Sequence, residues 1–162
     1  MKLLCLKNDM LDAVNTVSKA VASGTTMNIL ECILIETCGD DRIRLTANDT
    51  ELGIETVIPG TTVIPGKIAL KAKLFYEMIR KLPDSELIID TEDNGRTHIY
   101  CEEIYFGIMG QEGDDFSKLP DIDKEYSLSM SQFDLKEVIR QTIFSVSDNT
   151  NSRIMTGELF HI

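Results

Sequence analysis

The chain has 162 residues, 43% of them hydrophobic and 27% charged, enough to bury one core of ordinary size. Its formal net charge is −11 and its pI is about 4.6, which excludes a uniformly basic nucleic-acid binder. Four cysteines with neither a CxxC pair nor a histidine at zinc-ligand spacing exclude a zinc finger, and no window is long and apolar enough to span a membrane.

In chain order, residues 2–7 alternate as a strand, with Leu3 and Cys5 inward. Asn8 or Asp9 is placed to cap a helix whose apolar side is Met10, Ala13, Val14, Val17 and Val21, and which fades at Ser23-Gly24. Residues 29–37 read as a strongly apolar strand, Gly39-Asp40-Asp41 as a turn, and 42–46 as a strand with Ile43 and Leu45 inward. A further strand alternates through Leu52, Ile54, Thr56 and Ile58. Two Pro-Gly pairs (59–60 and 65–66) then bracket a short extended piece. The order repeats: a strand at 68–70, and a helix at 72–81 with Leu74, Phe75, Met78, Ile79 and Leu82 on one side, stopped by Pro83. Three alternating strands follow at 87–90, 97–101 and 104–109, the first two joined by an Asn94-Gly95 turn. Residues 110–125, acidic and containing proline, read as a linker. Ser131 and Asp134 form a capping box that opens another helix, running to about Val146.

The chain starts its own pattern again. Shifted by 125 positions without a gap, Leu3 meets Leu128, Cys5 meets Met130, Met10 meets Leu135, Val14 meets Ile139 and Ile35 meets Phe160. A repeat of this length indicates a duplicated domain rather than a solenoid unit. The expected class is α+β: a duplicated β-α-β-β-β unit, mainly antiparallel sheets, and two helices on one face of each domain. Residues 1–121 form the first domain. Residues 122–162 are a linker and the truncated start of a second, whose exposed strand edges need partners from elsewhere.

Catalytic groups are scarce. The only histidines, His98 and His161, read as surface residues, and the pairs Asp40-Asp41 and Asp114-Asp115 as solvated turns. Nucleophile-elbow, P-loop and dinucleotide-binding patterns are absent, so neither an enzyme nor a cofactor or metal is expected. Cys5 and Cys32 fall on apolar strand positions, as reduced thiols do in a cytoplasmic protein, and no signal peptide is recognised at the start. The charge is unevenly spread. Lys71, Lys73, Arg80 and Lys81 crowd one short helical segment, and Lys136 and Arg140 lie on the helix of the second copy. Such faces hold a phosphate backbone by charge, without reading sequence. With no tryptophan and few exposed aromatics, base stacking on a single strand is not expected.

Duplicated strand-helix-three-strand units with basic helices in an acidic body resemble the bacterial DNA sliding clamps, the beta subunits of DNA polymerase III. The stretches that carry the resemblance are Asn28-Ile29-Leu30, Ala47-Asn48-Asp49-Thr50-Glu51, Leu74-Phe75-Tyr76 and Phe106-Gly107-Ile108. Asp115-Phe116-Ser117-Lys118-Leu119-Pro120 and, in the second copy, Ser152-Arg153-Ile154 complete them. The resemblance implies a ring, closed by a head-to-tail homodimer, that encircles double-stranded DNA and tethers the polymerase III core, with a clamp loader as a further partner. It implies that Lys19, Lys73, Arg80, Lys136, Arg140, Asn149 and Arg153 face the DNA. By the same resemblance, Met78, Leu82, Phe106 and Ile108 supply the apolar part of the subunit interface. The chain departs from the family at Gly24, where a basic residue is common, and at Asn28 and Ser117, where proline is usual. The rival reading is a DNA-independent protein-interaction scaffold.

Overall fold

The computed structural model of the chain describes residues 1–117, 119–120, 127–148 and 152–161. It divides into two compact units, Met1–Leu119 and Pro120–Ile162.

In the first unit, strand β1 (Lys2–Leu6) runs directly into helix α1 (Lys7–Val17). The expected cap at Asn8 or Asp9 does not form: Leu6 is the capping residue, and Asp9 sits in the first turn, where its charge suits the helix dipole. Met10, Ala13, Val14 and Val17 are buried at helical spacing. The helix ends earlier than its apolar pattern, tightening into a 3-10 turn over Ser18–Ala20. The apolar run that reads as one strand from Ile29 is likewise split. Asn28–Glu31 is a 3-10 turn, held by hydrogen bonds from Leu30 N to Met27 O (3.0 Å) and from Ala22 N to Leu30 O (3.0 Å). Strand β2 therefore begins at Cys32 (Cys32–Thr37).

Strands β3 (Arg42–Asn48), β4 (Gly53–Pro59), β5 (Thr61–Ile64) and β6 (Lys67–Lys71) follow. Helix α2 (Ala72–Arg80) comes next, then β7 (Glu86–Thr91), β8 (Arg96–Cys101), β9 (Ile104–Met109) and β10 (Gln111–Glu112). They make two five-stranded antiparallel sheets, ordered β5-β1-β7-β8-β9 and β10-β6-β2-β3-β4. Each half of the unit sends its opening strand into the sheet of the other half: β1 pairs with β7, and β6 with β2. The piece between the Pro-Gly pairs is a true edge strand on β1.

One core joins both sheets to both helices, with Leu3, Met10, Ile35, Leu45, Phe75, Ile79 and Ile99 fully buried. A second, smaller cluster lies on β2 and β6, where Cys32, Leu34 and Ala69 pack with Phe116. This explains why β2 reads as continuously apolar rather than alternating: both of its faces are covered. It also corrects the expected linker. Residues 111–112 pair with β6, and Lys67 Nζ meets Asp114 Oδ1 at 2.6 Å. Leu119 rests where a side chain on Gly53, at the opposite edge of the sheet, would stand. Residues 111–117, with Leu119, are a strap across the sheet, and Lys118 and residues 121–125 of the expected linker lie outside the described residues. Phe116→Ala is expected to cost about 3 kcal/mol, read as a lowered urea midpoint.

At the β3–β4 turn, Thr50 has φ +79°, a left-handed conformation costly for a β-branched residue. The turn is built around it: Asn48 Oδ1 accepts from Thr50 N (2.8 Å), and Asp49 Oδ1 accepts from Leu52 N (2.7 Å) and Glu51 N (2.9 Å). Those two backbone donors, Leu52 first, lower the Asp49 pKa from its ordinary value. Thr50→Gly is expected to raise stability by about 1 kcal/mol, measurable as a higher melting temperature.

The second unit repeats the helical elements at a constant offset. Helix α3 (Gln132–Thr142) and the 3-10 turns Ile143–Ser145 and Arg153–Thr156 begin and end 125 positions after α1 and its two following turns. The strand expected at Leu128 and Met130 does not form, and no described residue of this unit is in a strand. The reason is pairing. In the first unit β1 is held by β5 and β7, and the described residues of the second unit offer Leu128 and Met130 no such neighbours. Helix α3 accordingly buries none of its residues. Leu128 is 55% exposed, where its counterpart Leu3 is fully buried.

Candidate nucleic-acid interface

Helix α2 is held by Ala72, Phe75 and Ile79 in the core, and no side chain caps its start. That stripe turns Lys73, Glu77 and Arg80 away from the core, four and three residues apart, along one line of the helix. Lys73 and Arg80 are exposed. Arg80 Nη2 donates to Glu77 Oε2 at 2.7 Å. This hydrogen bond, with the charges of Arg80, Lys81 and Lys73, lowers the Glu77 pKa. Lys71 reaches Glu31 at 3.7 Å. Among the described residues, Lys73 and Lys81 have no carboxylate within ion-pair distance. The line is therefore net positive, though its arginine is already engaged.

Lys19 is exposed on the 3-10 turn that ends α1, whose other exposed residues include Asn8, Asp12, Asn15 and Thr16. The α1 surface is thus polar rather than basic. Between the end of α1 and the start of α2 lies a cavity of about 860 Å³, bordered by Asn15, Ser18, Ser23, Lys71 and Lys73. Gly24, with φ +69°, also borders it and has nothing within 4 Å of where a side chain would begin.

In the second unit Ser131 caps α3, its Oγ accepting from Asp134 N (3.0 Å) and donating to Asp134 Oδ2 (2.7 Å). Lys136 and Arg140 are exposed on this helix. Arg140 grips Glu137 with two hydrogen bonds, 3.0 and 2.7 Å, again with the acid three residues before the arginine. That grip, followed by a bond from Gln141, lowers the Glu137 pKa. Asn149 and the side chain of Arg153 lie outside the described residues. Within each unit, then, the structure aligns Lys73 with Arg80 and Lys136 with Arg140. The Glu-Arg pairing inside each helix was legible from the three-residue spacing but carries no weight in a count of charges.

Of the expected interface residues, Leu82 and Ile108 are buried in the core, while Met78 and Phe106 are half-buried against it. The apolar surface nearby belongs to others. Leu74, assigned by periodicity to the buried side of α2, is 46% exposed because the buried stripe is centred on Phe75 and Ile79. Ile104, Tyr105 and Met109 are exposed on β9, an edge strand hydrogen-bonded to β8 alone.

Nothing among the described residues groups three or more metal-ligating side chains. Cys5, Cys32 and Cys101 are buried free thiols. Burial, then the charges of Asp9 and Glu86, pushes the Cys5 thiol up to about 12. Among the described residues no helix is long and apolar enough to cross a membrane. His98 departs from its expected surface position: it is half-buried and hydrogen-bonded through both ring nitrogens.

The family model for the N-terminal domain of the DNA polymerase III beta subunit matches residues 1–120. The chain is 36% identical over 157 residues to the beta sliding clamp of Halalkalibacterium halodurans, covering 92% of this chain and 41% of that protein. It is 33% identical over 165 residues to the Bacillus subtilis clamp, covering 97% and 43%. A crystal structure of a DNA polymerase III beta subunit from Eubacterium rectale superposes with a TM-score of 0.91 at 55% identity, over 97% of this chain and 43% of that one. The Bacillus subtilis clamp structure gives 0.89 at 32% identity, over 95% and 42%. The chain thus spans about two fifths of the length of these relatives. On the family match and these likenesses together, the chain belongs to the DNA polymerase III beta subunit family and has the sliding-clamp fold.

Proposed function

We propose that this chain forms part of a processivity clamp, a non-catalytic ring around duplex DNA that keeps a replicative polymerase at its template. The observation that carries this is the recurrence, 125 residues on, of the same helical elements, with exposed cations on α2 of the first unit and α3 of the second. Lys19, Lys73, Arg80, Lys136 and Arg140, with Asn149 and Arg153, are the proposed DNA-facing residues. Weak phosphate contacts suit a topological grip, because a ring that encloses its track need not bind it tightly to stay local. In the whole protein the proposed partners are double-stranded DNA, the polymerase III core, a clamp loader and a second subunit joined head to tail. The half-buried Met78 and Phe106, with exposed Leu74 and the free edge of β9, are the surface offered to that subunit; Leu82 and Ile108 support it from beneath.

The test is retention of the full-length protein on circular versus linearised DNA after loading. Retention on circles with run-off from linear molecules supports enclosure. Equal behaviour on both, or none on either, would leave the scaffold reading in its place.

A further inference from the structure

Outside the helices, one group of side chains has the geometry of a proton relay. On the face of the β5-β1-β7-β8-β9 sheet turned away from the core, His98 Nε2 lies 2.7 Å from Glu92 Oε1, and its Nδ1 lies 2.8 Å from the Tyr105 hydroxyl. Glu92 is fixed in turn: its other oxygen accepts from Asn94 Nδ2 (3.1 Å), and its backbone N–H donates to Arg96 O (2.9 Å) across the Asn94-Gly95 turn. The hydrogen bonds from His98 and then Asn94 hold the Glu92 carboxyl below its usual range, so it is ionised at neutral pH.

The charge settles the direction of the chain of bonds. An ionised carboxylate can only accept, so His98 Nε2 carries the hydrogen, and in neutral imidazole Nδ1 is then the acceptor. In that neutral form Tyr105 donates its O–H to Nδ1. Register makes room for this: His98 faces Gly107 across the β8–β9 ladder, and a side chain there would begin 3.2 Å from the Tyr105 hydroxyl oxygen. The His98 side chain is 17% exposed, beneath the rings of Tyr100 and Tyr105, whereas Tyr105 is 51% exposed. A nucleophile in reach of solvent, a base within hydrogen-bond distance and a carboxylate orienting the base is the arrangement that activates hydroxyls in covalent catalysis.

We infer that Tyr105 is an acceptor site for acyl transfer, its phenol deprotonated by His98 as it attacks a small activated acyl donor. In that step the Tyr105 oxygen forms a bond to the acyl carbon and the bond from that carbon to the leaving group breaks. The phenolic proton passes to His98 Nδ1, giving an imidazolium held by Glu92, and then to the departing group. Nothing is oxidised or reduced. The ester removes the hydroxyl donor and adds bulk on the outer face of β9, beside the free edge of the sheet. This inference does not rest on the clamp reading and could fail without touching it.

Tyr100 supplies the internal control. It lies on the same face, its ring centroid 5.2 Å from that of Tyr105, is 39% exposed, and its hydroxyl has no hydrogen-bond partner among the described residues. Treated with N-acetylimidazole, the full chain should be acetylated at Tyr105 at least about tenfold faster than at Tyr100, a modest part of what a positioned base supplies. The sites are resolved by fragment-ion mass spectrometry. His98→Gln should abolish the preference and Glu92→Gln should reduce it, with the thermal unfolding curve confirming that each variant is folded. A wild-type ratio below about tenfold, or a preference that survives His98→Gln, overturns the inference.

Discussion

Replacing Phe75 by alanine is expected to destabilise the first unit by about 4 kcal/mol, more than the same truncation at Phe116. Phe75 is fully buried, and its cluster is the one that ties both sheets to both helices. A cavity there is bordered by elements that cannot all close on it at once, so little of the missing packing is recovered. Domains of this size are stable by roughly 5–15 kcal/mol, so the variant should unfold at a much lower denaturant concentration. Leu74, one residue earlier and largely outside that packing, is the control: Leu74→Ala should change stability by no more than about 0.5 kcal/mol. Equal losses for the two would mean that α2 is seated differently from the way described.

Removing the exposed cations of both helices together, Lys73, Arg80, Lys136 and Arg140 to alanine, is expected to abolish most direct binding of the full-length protein to linear DNA at physiological salt, while a loaded circle stays enclosed. Each cation taken away from a phosphate should lower the salt-dependence slope by about 0.9, so the combined variant should lose up to about 3.6. The Glu-Arg pairs add a sharper expectation. Glu77 and Glu137 each occupy the arginine beside them and oppose a phosphate there. Glu77→Gln should therefore tighten that direct binding, with a steeper salt slope. A salt titration in which the combined variant follows the wild-type curve would rule out these helices as the DNA-facing surface.

What could be read from residues alone was whatever is local. Alternation placed β3, β8 and β9, and helical spacing placed Met10, Val14, Phe75 and Ile79 in the core. The 125-residue repeat, visible as a pattern of apolar positions, reappears in the bounds of α3 and its following turns. Errors arose where a segment's conformation depends on what it touches. An apolar run cannot tell a 3-10 turn at Asn28–Glu31 from the start of a strand, since both bury side chains. An acidic, proline-containing segment looks like a linker until Phe116 finds its place on Cys32, Leu34 and Ala69. Leu128 and Met130 alternate as a strand should, yet a strand needs neighbours to bond to. The relay at His98 was hidden for the same reason: its members are six and seven residues apart, and only the ladder register brings them together.

The exchange of opening strands between the two sheets has a bearing on how the chain is made. Lys2 is opposite Ile64 on one side and Asp90 on the other, so β1 gains its first ladder partner only with β5 and is not enclosed until β7 has been made. Closing so wide a loop is entropically slow, and until it closes an apolar ribbon is left bare to whatever else is nearby. Neither half of the unit could be cut away and survive, because each would take with it a piece of the other's wall.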